Sequence, residues 1–181
     1  MAQRRRGFET AGDMVRSMGL VLLGVAALLL LTLRDEPDDP VTVVDASVVE
    51  STTSQARAAA PFALEAPLGL DDGWRVTSIR YQPGTDAGSV WHIGYITPAD
   101  DYAAVEQTDG EVMDALEGQL PEPEEDGAAQ VGGRTWTRYV DQTSDRRALV
   151  VDGAASELAV AGTADWAGLE ELAGALAPSA G

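Results

Sequence analysis

The strongest structural signal in the chain is the run Val90-Trp-His-Ile-Gly-Tyr-Ile-Thr97. Side chains of a β-strand alternate between the two faces of its sheet, so His92 shares one face with Val90 and the indole of Trp91 takes the other. Both faces of this run are largely apolar. We therefore predict a strand here, at a central position of a sheet.

Further runs rich in β-branched and aromatic residues lie on both sides of this strand. They cover residues 74–81, 102–107, 134–140, 147–151 and 157–161, and a shorter run is at 62–66. Most of the connections are short and rich in turn residues, which favours antiparallel hairpins. A parallel crossover needs about a dozen residues, usually with a helix, so only the gap that contains 111–120 has room for one.

Three segments have helical character. Residues 51–60 follow several potential capping residues, residues 111–120 space apolar side chains four apart, and residues 164–176 carry one apolar stripe behind the cap candidate Thr163. Residues 121–128 read as a polar loop. Because each helix has a single apolar stripe, we expect the helices near 111–120 and 164–176 to cover one face of the sheet.

An apolar segment precedes all of these elements. Residues 17–33 run for seventeen positions without a charge, which is the short end of the range for a membrane-spanning helix. A cleaved signal peptide is the competing interpretation, but Leu33 is followed at once by Arg34-Asp-Glu36 and no small-residue cleavage site lies close by. We predict an uncleaved transmembrane helix at 17–34.

Charge is distributed unevenly along the chain. Residues 1–34 hold five arginines against two acidic residues, whereas residues 35–181 hold seven arginines against 28 acidic residues. Cationic flanks stay inside, so residues 1–16 are predicted to be cytoplasmic, residues 35–50 an acidic juxtamembrane linker, and residues 51–178 an extracytoplasmic domain at the cell membrane. The acidic domain argues against nucleic-acid binding.

The predicted fold class is therefore α+β. It consists of a mostly antiparallel sheet of about six or seven strands with helices on one face, preceded by one transmembrane helix. The chain has no cysteine, which excludes disulfides and thiol catalysis. Its acidic runs do not match the ligand spacing of an EF-hand loop. No catalytic residue, metal site or cofactor is predicted.

A small set of residues forms a weak candidate site for an anion or a sugar-like molecule. Arg134, Trp136 and Arg138 project from one strand face, and Arg146 and Arg147 lie nearby in the sequence. Arginine beside an indole also allows cation–π stacking. We favour that structural role over ligand binding for the Arg134–Trp136–Arg138 face.

His92, the only histidine, is a further weak candidate. A partly buried hydrogen-bonding role is the simpler interpretation, and a general base or pH sensor is the sharper one. A nucleophilic triad needs a serine or threonine beside the histidine, and the chain has no nucleophile-elbow motif. Carboxylates such as Asp100, Asp101 and Glu106 are the other groups that a hydrolase would use.

Seven short motifs together resemble a known family, the actinobacterial group catalogued as domain of unknown function 4245. They are Glu9-Thr-Ala-Gly-Asp-Met-Val-Arg-Ser17, Ala60-Pro-Phe62, Gly73-Trp-Arg75, Trp91-His-Ile-Gly-Tyr95, Glu106-Gln107, Gly132-Gly-Arg-Thr-Trp136 and Gly162-Thr-Ala-Asp-Trp166. The resemblance covers nearly the whole chain. It implies a membrane-anchored envelope protein of unassigned function, and it supplies no catalytic residues.

Two classes of function remain. The first is a binding or accessory protein of the cell envelope, held to the membrane by its N-terminal helix and acting with an envelope protein partner. The second is a hydrolase acting on envelope material through carboxylates or His92. A cleft lined by His92 or by two carboxylates would favour the hydrolase, and a flat apolar patch would favour binding.

Overall fold

The computed structural model describes Met18, Val21 and residues 42–85 and 88–178. The predicted cytoplasmic segment, most of the predicted transmembrane helix and the start of the acidic linker lie outside the described residues. Within the described part, no helix is long and apolar enough to cross a membrane. The chain divides into two compact units, Met1–Val41 and Thr42–Gly181.

Between residues 42 and 178 the described chain forms three helices and nine strands. In chain order they are α1 (Ala46–Ala59), β1 (Glu65–Pro67), β2 (Arg75–Thr85), β3 (Gly88–Ile96), β4 (Tyr102–Thr108), α2 (Val112–Leu116), β5 (Pro123–Val131), β6 (Arg134–Asp141), β7 (Arg147–Asp152), β8 (Glu157–Gly162), α3 (Trp166–Ala175) and β9 (Leu176–Pro178).

Seven of these strands form one sheet in the order β2-β3-β4-β8-β7-β6-β5, and every neighbouring pair is antiparallel. The prediction of an antiparallel α+β sheet is thereby confirmed. The strand predicted from residues 90–97 is β3, which pairs on both sides, with β2 and with β4. The predicted first strand does not join this sheet, because β1 pairs with β9 in a separate two-stranded ribbon.

The prediction of a polar loop at 121–128 is wrong, because Pro123–Val131 forms the edge strand β5. An edge strand has one neighbour and tolerates exposed polar side chains, so its sequence lacks the apolar alternation of an inner strand. A register shift between Glu125 and Ala128 includes Gly127, whose φ is 86°. Glycine adopts that left-handed conformation without strain, which fits a bulge at this position.

The expectation that both predicted helices cover one face is also wrong. Leu169 and Leu172 of α3 belong to the core that includes Leu158 and Val160, whereas α2 packs on the other core, with Ala159 and Ala161. Successive residues of β8 point to opposite faces, so α2 and α3 lie on opposite faces of the sheet. The cause is that the inner strands are apolar on both faces, and each face requires a cover.

Helix α1 begins earlier than predicted, within the stretch expected to be linker. The Asp45 carboxylate caps it by accepting a hydrogen bond of 2.8 Å from the backbone N–H of Ser47. Ala56 is 1% exposed and packs into the same core as α3. Helices α1 and α3 therefore cover the same face of the sheet, and the short helix α2 covers the opposite face.

Candidate functional site

Three polar side chains from neighbouring strands form a continuous hydrogen-bonded chain. Ser78 Oγ lies 2.8 Å from His92 Nε2, and His92 Nδ1 lies 2.6 Å from Glu106 Oε1. The residues belong to β2, β3 and β4 in that order, so the chain crosses three adjacent strands. We call these residues the Ser78–His92–Glu106 chain.

Sheet register positions this chain. His92 lies directly opposite Glu106 in the β3–β4 pair, and opposite Arg80 in the β2–β3 pair. Ser78 is two residues from Arg80 and is therefore the diagonal neighbour of His92 on the same face, within reach of a side chain. The register of β2 shifts between Val76 and Ser78, which is a local irregularity beside the site.

Burial increases along the Ser78–His92–Glu106 chain. Ser78 is part-buried, His92 is 2% exposed and Glu106 is 1% exposed. Glu106 Oε1 also accepts a hydrogen bond of 3.1 Å from Gln119 Nε2 and lies 3.7 Å from the Arg80 guanidinium. Among the described residues, Glu106 Oε2 is buried with no hydrogen-bond partner. Three donors thus surround one carboxylate oxygen of Glu106.

The partners of His92 decide which ring nitrogen carries the proton. An ionised carboxylate is an acceptor only, so Nδ1 of His92 donates to Glu106. In the neutral ring, Nε2 then has its lone pair free and faces the Ser78 hydroxyl. The arrangement can therefore accept a proton from Ser78.

Tyr102 and Gly94 complete the surroundings of Ser78. Burial raises the pKa of Tyr102, while the hydrogen bond between its hydroxyl and Ser78 lowers it. A Cβ atom at Gly94 would meet Ser78 Oγ and would lie 2.8 Å from the Tyr102 hydroxyl oxygen. A side chain at this position would require the two hydroxyls to move.

The predicted arginine patch has its charges engaged within the domain. Arg134 donates to Glu65 at 2.8 Å, and Arg138 donates to Glu170. Trp136 is 1% exposed, and its indole N–H donates to the Val131 carbonyl oxygen at 3.2 Å.

Two of the predicted arginines lie beside one aromatic ring. The guanidinium carbons of Arg138 and Arg147 lie 4.8 and 6.0 Å from the ring centre of Trp166. Arg146 instead lies near Tyr102, whose pKa is raised chiefly by burial, with the Arg146 charge as the smallest opposing cause. The six candidates, His92 included, are therefore not gathered into one site.

A cavity of about 360 Å³ lies beside Arg134. Glu65 and Arg134 line it together with the turn between β7 and β8, and Leu158 places it on the face of the sheet that α3 covers. Gln107 Nε2 donates to Ser156 Oγ at 2.9 Å and to the Ala63 carbonyl oxygen at 3.0 Å, which holds two walls together. We call this space the Glu65–Arg134 cavity.

Sequence reasoning missed Ser78 and Glu65. Ser78, His92 and Glu106 follow each other at intervals of 14 residues, a spacing that two successive hairpins can bring into line. That spacing was the available signal, but it requires the register to be known. Of the other carboxylates considered, Asp100 pairs with Arg75 and not with His92. In the described part of the chain, no group of three or more His, Asp or Glu residues could hold a metal ion.

A protein-family model matches the chain. The model of the family described as "Protein of unknown function (DUF4245)" matches residues 6–176 of the chain. No curated protein and no solved structure matches it. The match takes in the apolar segment, the Ser78–His92–Glu106 chain and the Glu65–Arg134 cavity.

Proposed function

The chain belongs to the DUF4245 family, and we propose that it is a membrane-anchored extracytoplasmic binding or accessory protein of the cell envelope. The anchor is residues 17–34, with the N-terminus cytoplasmic. The family match begins at residue 6, so the arginine-rich start and the apolar segment belong to the same family pattern as the domain. The excess of arginine before the segment and of acid after it supports the orientation.

The observation that carries the binding role is the Glu65–Arg134 cavity. Two carboxylates line it, Glu65 and Asp152, but Glu65 is paired with Arg134 and is therefore not free to act as the acid or nucleophile of a hydrolase. The cavity volume of about 360 Å³ lies within the range of small-molecule sites, about 300–1,000 Å³. Glu65 and Arg134 form an ion pair at 2.8 Å and are still 14% and 34% exposed. A guanidinium donor therefore stands beside a carboxylate acceptor at the wall of a concave space.

This pairing suits a neutral, hydroxylated ligand. Neighbouring hydroxyl groups of a sugar act as acceptors and donors at once, so they can bind Arg134 and Glu65 without breaking the ion pair. An anion would have to displace Glu65 from Arg134 in a domain that carries a large excess of acidic residues. We infer that the ligand is an uncharged glycan segment of the envelope.

Binding of soluble glycan fragments to the full-length protein in detergent tests this proposal. Saturation-transfer NMR should detect contact with at least one neutral fragment, and Arg134→Gln should abolish that contact. Arg75→Gln is the matched control, because Arg75 pairs with Asp100 outside the cavity and its loss should leave binding intact. Absence of binding in the wild type, or equal loss in both folded variants, would contradict the proposal.

A further inference from the structure

We propose that the Ser78–His92–Glu106 chain is a nucleophilic acyl-transfer centre that hydrolyses uncharged carboxylic esters, with Ser78 as the nucleophile. This activity is separate from glycan binding in the Glu65–Arg134 cavity. His92 and Ser78 lie on the face that α2 covers, since Glu106 sits opposite Ala159 in the β4–β8 pair, and the cavity lies on the other face. Each site can therefore be tested without the other.

The first argument is geometric. A nucleophilic serine, its base and an acid that orients the base need two hydrogen bonds in series, each about 2.6–3.2 Å. The observed distances are 2.8 and 2.6 Å. The carboxylate contacts Nδ1 and the hydroxyl contacts Nε2, which is the arrangement in which a histidine takes the proton of a serine.

The second argument is access. Ser78 lies on β2, an edge strand, and is only part-buried, while the histidine and the carboxylate are almost fully buried. The side chain of Arg80, next to His92 across the strands, is 48% exposed. The nucleophile thus lies at the accessible end, and its supporting groups are shielded from water.

The third argument concerns the backbone around the Ser78–His92–Glu106 chain, which departs from regular strand structure there. The register shift in β2 immediately precedes Ser78, and bulges of this kind often re-aim side chains beside active sites. Gly94 on β3 has no side chain, which leaves space for the Ser78 and Tyr102 hydroxyls.

Donors for a developing negative charge are present as well. The Tyr102 hydroxyl contacts Ser78, and both Arg80 and Arg146 act on it electrostatically. Because burial keeps Tyr102 protonated, its hydroxyl can donate to an oxyanion that forms at the carbonyl bound to Ser78. We assign Tyr102 this role.

The reaction balances without a further co-reactant. Ser78 Oγ attacks the ester carbonyl carbon as its proton passes to His92 Nε2, and the carbon–alkoxy bond then breaks while His92 protonates the departing alcohol. Water attacks the acyl-serine, gives a proton to His92, and the bond from carbon to Oγ breaks as that proton returns to Ser78. The products are a carboxylic acid and an alcohol.

The substrate class follows from the same surroundings. An alcohol is a better leaving group than an amine, so an ester is favoured over an amide. An anionic substrate would be repelled by the excess of acidic residues in the domain, which favours an uncharged ester.

Labelling with a fluorophosphonate probe tests the proposal, since the probe forms a stable bond only with an activated serine. The full-length wild type in detergent should gain one adduct, mapped to Ser78 by peptide mass spectrometry. Ser78→Ala should abolish labelling. Ser144→Ala, which removes an exposed serine in the β6–β7 loop, should not.

Further variants separate a catalytic from a structural role. His92→Gln should slow labelling about 100-fold or more, the usual contribution of a general base. Arg57→Gln, at an exposed position of α1 that belongs to neither site, should label like the wild type. An unlabelled wild type that is shown to be folded, or an adduct that persists in Ser78→Ala, overturns the proposal whether or not His92→Gln folds.

Discussion

At the scale of single residues, Asp141 illustrates how a carboxylate can organise a loop. Its Oδ1 accepts hydrogen bonds from the Thr143 backbone and hydroxyl at 2.8 and 2.6 Å, and its Oδ2 accepts one from the Glu122 N–H at 2.9 Å. The hydrogen bond from the Thr143 hydroxyl, followed by that from the Glu122 N–H, lowers the pKa of Asp141 from 3.8 to about 2. The ionised form is therefore bound more tightly in the folded state than in the unfolded state.

We predict a pH dependence of stability from this shift. A carboxylate whose pKa is lowered by folding stabilises the protein above its unfolded pKa, and this contribution is lost as the pH falls through the folded pKa. For Asp141 the loss should occur between about pH 4 and pH 2. Asp141→Asn should lower the urea midpoint at pH 7 and flatten its fall over that interval.

The control for this prediction is Asp145→Asn, which removes the same charge from an exposed position in the same loop. Urea unfolding of the three proteins at several pH values measures the effect. If Asp141→Asn and Asp145→Asn have the same midpoint at pH 7, the hydrogen bonds of Asp141 do not stabilise the fold.

The residues of the candidate site were only partly accessible to sequence reasoning. His92 attracts notice as the only histidine. Its partners Ser78 and Glu106 are ordinary residues fourteen positions away, and a one-residue change in register would place either on the other face. Glu65 is harder still, because it meets Arg134 across 69 positions, through a ribbon that the sequence did not predict.

At the scale of helices and strands, the local residue pattern predicts strands best where the turns between them are short. The six strands β2, β3, β4, β6, β7 and β8 follow predicted runs, since each contains β-branched or aromatic residues and is bounded by turn residues. Strand β5 was not predicted, because its side chains are mostly exposed and many of them are polar. The face that each helix covers was not predicted either. An apolar stripe shows that a helix packs on a sheet, but it does not show on which face.

Helix α3 supplies the prediction at this scale. Leu169 is 0% exposed and packs into the core with Leu158 and Val160. We predict that Leu169→Ala lowers the free energy of unfolding by about 2–5 kcal/mol, the usual cost of a large-to-small change in a core. The midpoint and slope of urea unfolding, followed by circular dichroism, measure it.

The matched control is Leu68→Ala, since the side chain of Leu68 is 61% exposed and lies just after β1. Its stability should remain within about 0.5 kcal/mol of the wild type, as expected for a surface change. Equal effects of the two substitutions would mean that α3 is peripheral to the folded domain.

At the scale of the whole molecule, the proposed functions share one premise. Binding of an envelope glycan and hydrolysis of an ester outside the cell both need the acidic domain to lie beyond the membrane. The opposite charges of residues 1–34 and 35–181 support that arrangement. The central claim of this account is therefore the orientation of the chain.

Cysteine labelling in intact cells tests this claim most directly, because the natural chain has no cysteine and a single one can be introduced at will. Asp126→Cys places it at an exposed position in β5, and Gln3→Cys places it near the N-terminus. With a membrane-impermeant maleimide, we predict that Asp126→Cys is labelled in intact cells and Gln3→Cys only after lysis. Labelling of Gln3→Cys in intact cells, with Asp126→Cys protected until lysis, would contradict the account.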